Sequence, residues 1–224
     1  MDLISSKSAQ TQTRFLWTLL LSFMVTVGLV VLCYFFVDRP VALKMERLHL
    51  RYDPIMRLFE SMPVGLGPVS LVLLAGYAMD LSFLGMKNQR WRQTSLQFGL
   101  SVVLAISVKS VTKSMFGRTW PRTWTCNNPS FIQDGVYGFH PFQSGLAYTS
   151  FPSGHSAVIS AAMMTLVLRC PRQKWLWMMM VLLTEFPLLL QNFHFLGDVL
   201  AGTWVGIAVA LVTHQCVCTH AVKG

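Results

Sequence analysis

Apolar residues gather along the chain in six runs, at roughly 15–37, 67–85, 95–115, 154–169, 175–191 and 197–216. Each comes near the ~20 residues that a helix needs to cross the hydrocarbon of a bilayer. The fourth and fifth runs are short, and the third carries Lys109 and Lys113. Six helices is therefore the count that fits best, with five or seven also compatible. The first run is too long for a signal-peptide core and has no small-residue cleavage site, which predicts a retained helix. Between the first and second runs the pattern changes. From Asp38 to Ser61, Leu43, Leu48, Leu50, Ile55, Met56, Leu58 and Phe59 interleave with Lys44, Arg47, Arg51 and Arg57. That alternation predicts an amphipathic segment over 41–60 lying at the lipid surface, broken near Pro54; a solvated connecting loop is the alternative.

Composition points the same way. The 224 residues are 53% hydrophobic and 12% charged, with a mean hydropathy of +0.50, whereas soluble domains carry about a quarter charged residues. The expected fold class is all-α, an integral membrane six-helix bundle. With no repeat, low-complexity tract or linker, the chain reads as a single domain over 1–224. A net charge of +9 would suit nucleic acid, but these cations lie in short loops flanking apolar helices, without the aromatic interleaving of a nucleic-acid groove. The expected partners are the bilayer, its anionic headgroups and a phosphorylated lipid, with no nucleic acid and no obligatory protein partner evident. With the N-terminus inside, two short inner loops carry Lys87, Arg90, Arg92 and Arg169, Arg172, Lys174 without an acid, and these tip an otherwise even charge balance towards that orientation.

Cysteine adds little. Cys126 stands alone on its side of the membrane, so no internal disulfide is expected. The tail His214-Gln-Cys216-Val-Cys218-Thr-His220 imitates a metal site, but residues two apart face opposite sides of a helix, and no metal or other cofactor is expected.

Three polar clusters interrupt the apolar pattern. Lys113, Arg118 and Arg122 follow the third run, Pro152-Ser153-Gly154-His155 opens the fourth, and His194 and Asp198 lie between the fifth and sixth. Six spans put all three on one membrane face. Together they form a kit for handling phosphate. Cations neutralise the oxygens of a phosphate ester, and Arg grips two at once. Ser153 and Gly154 at a helix start offer free N–H groups and close approach of the backbone. One histidine attacks phosphorus and the other protonates the departing alkoxide. Asp198, one helical turn after His194, holds its tautomer and stabilises its charge, which marks His194 as nucleophile and His155 as general acid. His140, in the Asn- and aromatic-rich stretch 120–149, competes for that second role but has no helix-end context; the stretch itself reads as an ordered lid. Glu185 and Lys109 are ionisable groups inside apolar runs and are expected to pair beneath the pocket, while Asp80 snorkels.

In these motifs the chain resembles the type 2 phosphatidic acid phosphatase superfamily, which includes the vanadium haloperoxidases. Its signature is Lys, six residues, Arg-Pro; then Pro-Ser-Gly-His; then Ser-Arg, five residues, His, three residues, Asp. Pro152 to His155 match the second part completely, and His194 and Asp198 match the third in spacing. Lys113 and Pro121 match the first, with Gly117-Arg118 often seen inside it. Two positions depart from the pattern. Trp120 stands at one phosphate-binding arginine, and Pro187-Leu188 at the Ser-Arg pair. The resemblance implies a metal-independent hydrolase acting on phosphatidic acid, phosphatidylglycerol phosphate, undecaprenyl diphosphate or a lipid A phosphate. Catalysis would run through a phosphohistidine, with His194, His155 and Asp198 catalytic and Lys113, Arg118, Arg122, Ser153 and Gly154 at the phosphate. A phosphotransferase with the same site, or a non-catalytic binder of headgroups, is the alternative. Small size and the lack of a usable Asn-x-Ser/Thr sequon lean towards a bacterial inner membrane, with the site facing outwards.

Overall fold

The computed structural model describes residues 2–51, 53–79, 88–124, 127–143 and 145–221, with side chains over 10–218 of these. Helix α1 (Asp2–Leu32) runs through a π-helical turn, Cys33–Val37, into α2 (Asp38–Glu46). Much of α1 faces outwards: Trp17, Leu21 and Val25 are about 60% exposed. That surface would be costly in water and is the natural outer face of a helix in lipid.

Asp53 then caps α3 (Pro54–Ser61) by accepting from the N–H groups of Ile55 and Met56, and Pro54 fills the first turn, where no N–H is needed. The helix passes through a 3-10 turn, Met62–Gly65, into α4 (Leu66–Ala78). The predicted break near Pro54 is present, but beyond it the chain forms one continuous run, Pro54–Ala78, long and apolar enough to cross a membrane. Three other runs meet the same standard: Gln10–Glu46, Gln89–Phe116 and Leu196–Cys218. The far end of the second predicted run, with Asp80, lies outside the described residues, as do Lys87, Cys126 and Lys223.

Asn88 caps α5 (Gln89–Phe116), which ends at Gly117 in the left-handed region, φ 60° and ψ 48°. A side chain there would put its Cβ 1.9 Å from the His140 carbonyl oxygen, so the turn requires glycine. After the short α6 (Phe131–Asp134) come α7 (Gly154–Arg169), α8 (Lys174–Leu190) and α9 (Leu196–Ala221). Helix α7 has 16 residues and α8 has 17, so both expected short runs form helices shorter than the other spans. Among the described residues only isolated bridges, and no strand, accompany the helices. The chain is an all-helical integral membrane protein.

Short α7 sits at the centre, between α5, α8 and α9. Phe98 and Val102 of α5 pack with Val158, Ile159, Ala162 and Met163 of α7 as a buried apolar core. Against α9 the approach is closer still. A Cβ at Gly202 would lie 2.4 Å from the Ser153 oxygen, and one at Gly206 2.3 Å from the Ala157 oxygen. Two glycines four apart thus bring the backbones into contact, the packing mode suited to a medium where burial of apolar surface drives little. Away from the polar end of these helices, buried Ser101 joins Thr213 at 2.6 Å and Thr165 at 3.1 Å. His214 and Cys218 share one face of α9, and Cys216 is exposed. Among the described residues no group of three metal-capable side chains forms, and Cys33, Cys170, Cys216 and Cys218 are free thiols. The His220 side chain is outside the described ones.

Candidate active site

The C-terminal turns of α5 and the N-termini of α7 and α9 meet at one end of the bundle. Ser153 caps α7, accepting from the Ser156 N–H at 3.3 Å, and its own N–H donates to the Asp198 carbonyl at 2.9 Å. That backbone bond fastens the start of α7 to the start of α9. The turn 191–195 is fixed from below: the carbonyl of buried Leu188 accepts from both Phe193 and His194 N–H groups, at 2.8 and 3.2 Å. Above it Asn192 donates to the Ala42 carbonyl and to Glu46.

A cavity of about 270 Å³ lies among these elements, lined by Lys109 and Lys113, by Gly154 and His155, by Trp120, and by Phe193 and His194, with Pro63, Val64, Gly67, Ile106 and Val158 closing its apolar side. The two histidine rings stand 6.4 Å apart between centroids, at 62°. A larger cavity of about 740 Å³ lies on another face of α5, between α1 and α9, but its lining is almost wholly apolar and offers no charged group. The chemistry belongs to the smaller one.

His194 Nδ1 faces Asp198 Oδ2 at 3.6 Å and Ser150 Oγ at 3.4 Å, and the Ser150 hydroxyl donates to Asp198 Oδ2 at 2.6 Å. A proton on Nδ1 suits the carboxylate it faces, which leaves the lone pair on Nε2. Burial lowers the pKa of His194 below the ordinary histidine value; Lys113 and Arg118 push the same way, and Asp198 opposes them. The imidazole is therefore held neutral, the state a nucleophile needs.

Of the residues expected at a phosphate, Lys113 and Gly154 line the cavity. Lys113 also donates to the Thr149 carbonyl and stands 5.4 Å from the Trp120 ring. Ser153 is wholly buried, spent on its cap. Arg118 and Arg122 are placed elsewhere. Arg118 is fully buried, its Nη1 on Asp198 Oδ1 and its Nη2 on Asp38 Oδ2, both at 2.6 Å. The rings of Tyr34, Tyr137, Phe139 and Phe195 enclose it, all within 5.5 Å of its Cζ. Burial opposes its charge, but Asp198 and Asp38 together hold its pKa above the ordinary arginine value. Arg122 pairs with Glu46, away from the cavity.

The expected pairing of Lys109 with Glu185 does not form. Glu185 accepts from Thr203 and Ser160, whereas Lys109 belongs to the cavity and lies against Gly154, where an added Cβ would sit 3.2 Å from Nζ. Helix α7 stands between the two helices that carry them. His140 turns away from the cavity, its ring against Tyr148 at 5.1 Å and its N–H on the Gly117 carbonyl. Sequence reasoning gave no role to Ser150 or Asp38. No motif spacing marks a serine at the end of a loop or the first acid after a span.

Among the described residues no guanidinium lines the cavity to make up for either departure from the arginine pattern. The Trp120 ring lies 5.0 Å from the His194 ring, and Leu188 is buried beneath the turn. The superfamily model named PAP2 matches residues 94–220, more than half of the chain. The chain belongs to the PAP2 superfamily. A lipid A 1-phosphatase of Rhizobium etli is 27% identical over 120 residues, 52% of this chain and 49% of that protein. An undecaprenyl-diphosphatase of Sulfolobus acidocaldarius is 25% identical over 138 residues, 60% of this chain and 61% of its own. The chain thus spans about half the length of the lipid A phosphatase it resembles. No solved structure matches the chain significantly. The PAP2 match runs from α5 to α9, so α1 to α4, with Asp38, Glu46 and the Pro63–Gly67 wall, lie outside it.

Proposed function

We propose that the protein is a lipid phosphatase that cleaves a phosphate or diphosphate ester at the membrane surface through a phosphohistidine. The observation that carries this reading is the pair of histidines 6.4 Å apart across a cavity holding Lys109 and Lys113, with His194 Nδ1 turned to Asp198. The lysines and the open N–H groups at the start of α7 neutralise the phosphate oxygens. His194 Nε2 attacks phosphorus, the bond from phosphorus to the lipid oxygen breaks, and His155 gives its proton to that oxygen. Water, surrendering a proton to His155, then cleaves the phosphorus–nitrogen bond, releases phosphate and restores His194. Asp198 offsets the positive charge on the imidazole in between. The apolar wall of Pro63, Val64, Ile106 and Val158 suits the first carbons of a lipid.

The named relatives supply the candidate substrates, a lipid A 1-phosphate and undecaprenyl diphosphate; phosphatidic acid and phosphatidylglycerol phosphate join them from the superfamily resemblance. Arg90, Arg172 and Lys174 lie at the bundle end opposite the cavity, which supports a cytoplasmic position for that end and an outward-facing site in a bacterial inner membrane.

The test is phosphate release from these four lipids by purified protein in detergent with EDTA, comparing wild type with His194→Ala. Release by wild type that the variant loses supports the reading and ranks the substrates. No release from any of them by folded wild type favours a headgroup-binding protein, the reading to which Trp120 and Leu188 in place of two arginines lend weight.

A further inference from the structure

Resting on the phosphohistidine reading, we propose that Asp38 is a positioning residue for His194, acting through Arg118 and Asp198 from a helix outside the matched family region. The π-helical turn Cys33–Val37 makes this possible. A widened turn inserts one residue and rotates the rest of the helix by about 100°. Cys33, which opens the turn, and Asp38, which follows it, are 4% and 1% exposed, whereas Phe35 and Phe36 between them are 59% and 73% exposed. The extra residue sets Asp38 over Cys33 on the face turned to the bundle, so a helix whose earlier turns face lipid sends one carboxylate inwards.

There Asp38 Oδ1 accepts from the Gly197 N–H at 3.0 Å, and Oδ2 accepts from Arg118 Nη2 at 2.6 Å. Gly197 suits its place, since a Cβ on it would lie 3.1 Å from Asp38 Oδ2 and 3.4 Å from Arg118 Nη1. Nη2 also donates to the Tyr137 hydroxyl at 3.1 Å, Nε is buried without a partner, and Asp198 is held through Nη1 alone, on Oδ1 at 2.6 Å. An arginine alone with one carboxylate closes a two-pronged clasp over both oxygens. By occupying Nη2, Asp38 prevents that clasp. Asp198 Oδ2 remains free for the Ser150 hydroxyl, the Phe195 N–H and His194 Nδ1. Charge follows the same logic. Arg118 with two carboxylates leaves one net negative charge, which matches the positive charge His194 gains as it attacks. Without Asp38 that set is neutral. The Arg118 carbonyl also accepts the Ser150 N–H at 3.1 Å, so the same residue helps to place the hydroxyl that donates to Asp198 Oδ2.

A simple brace would act differently, by holding molecules in the folded state. Rapid-quench measurement of phosphoenzyme formation separates the two, using full-length protein in detergent and the best substrate of the phosphate-release panel. Asp38→Asn and Asp38→Glu should each lower the rate constant of phosphoenzyme formation about 10- to 100-fold, the scale of a misplaced reacting group. The amplitude per folded molecule and KM should stay as in wild type. A brace predicts a reduced amplitude per total protein, with the amplitude per folded molecule and the rate constant unchanged, and that result overturns the inference. If Asp38→Asn does not fold, Asp38→Glu decides alone: it keeps the charge and moves the carboxylate, so a wild-type rate constant overturns positioning. Absence of phosphohistidine in wild type would instead remove the catalytic reading itself.

Discussion

At the scale of residues, the site is a neutral histidine held by one oxygen of a carboxylate whose other oxygen is held by a buried cation. Asp198→Asn keeps the shape but presents an amide where Nδ1 needs an acceptor charge. It should lower turnover by about 10³- to 10⁴-fold, as such changes do in hydrolytic triads, with folding retained by thermal melting. Arg118→Leu should act on the fold instead. It leaves Asp38 and Asp198 as two buried, facing carboxylates, a loss of about 3–5 kcal/mol, read as a large fall in Tm. The pH dependence comes from the lowered pKa of His194. A nucleophile is lost only when protonated, so activity should persist as pH falls through 6.5, the ordinary histidine value, and fail below it. An acid limb above that value in single-turnover rates would contradict this. His155, His194 and Asp198 were legible because one helical turn and one short motif bring them together. Asp38 was not, because its partners Arg118 and Gly197 are 80 and 159 residues away and only tertiary packing joins them. Arg118 and Arg122 look like phosphate ligands in the sequence because a sequence shows charge without showing the carboxylates that consume it.

At the scale of elements, close backbone contact places the site. Ser153 and Asp198 are tied by a main-chain bond, and the register of α7 on α9 behind them depends on Gly202 and Gly206. Gly206→Leu should force the helices apart at Ala157 and Ala161 and destabilise by about 1–3 kcal/mol, with activity falling in parallel because His155 lies on α7 and His194 in the turn that leads into α9. Unchanged Tm would count against this packing. Helix starts were readable from caps: Ser153 before α7 and Asp53-Pro54 before α3 stand where the chain turns helical. The fusion of α3 with α4 was not. The charged amphipathic pattern of 54–61 and the apolar pattern of 67–78 look like different structures in sequence, yet the 3-10 turn between them carries the helix straight on.

At the scale of the whole molecule, lipid-facing α1 and the stretch after it reach over the catalytic end. Asp38 reaches Arg118, Glu46 reaches Arg122 and Asn192, and Arg51 reaches the Thr123 carbonyl and the Trp124 ring. Residues 38–51 therefore take part in supporting the site. The proposed orientation predicts that, with native cysteines replaced, Phe142→Cys reacts with a membrane-impermeant thiol reagent in intact spheroplasts. Phe142 is 79% exposed on the catalytic side. Arg172→Cys, at the other end, should react only after lysis; the reverse pattern would invert the topology.

Covalent phosphoryl transfer to His194 is tested most directly by rapid, acid-free quenching of the wild-type protein with a ³²P-labelled lipid phosphate, followed by peptide mapping. His155 serves both steps, so the intermediate is sought in wild type, where an acid-labile label is expected on the peptide carrying His194 and none in His194→Ala. Phosphate released by wild type, with no label on His194 under any quench, would contradict it.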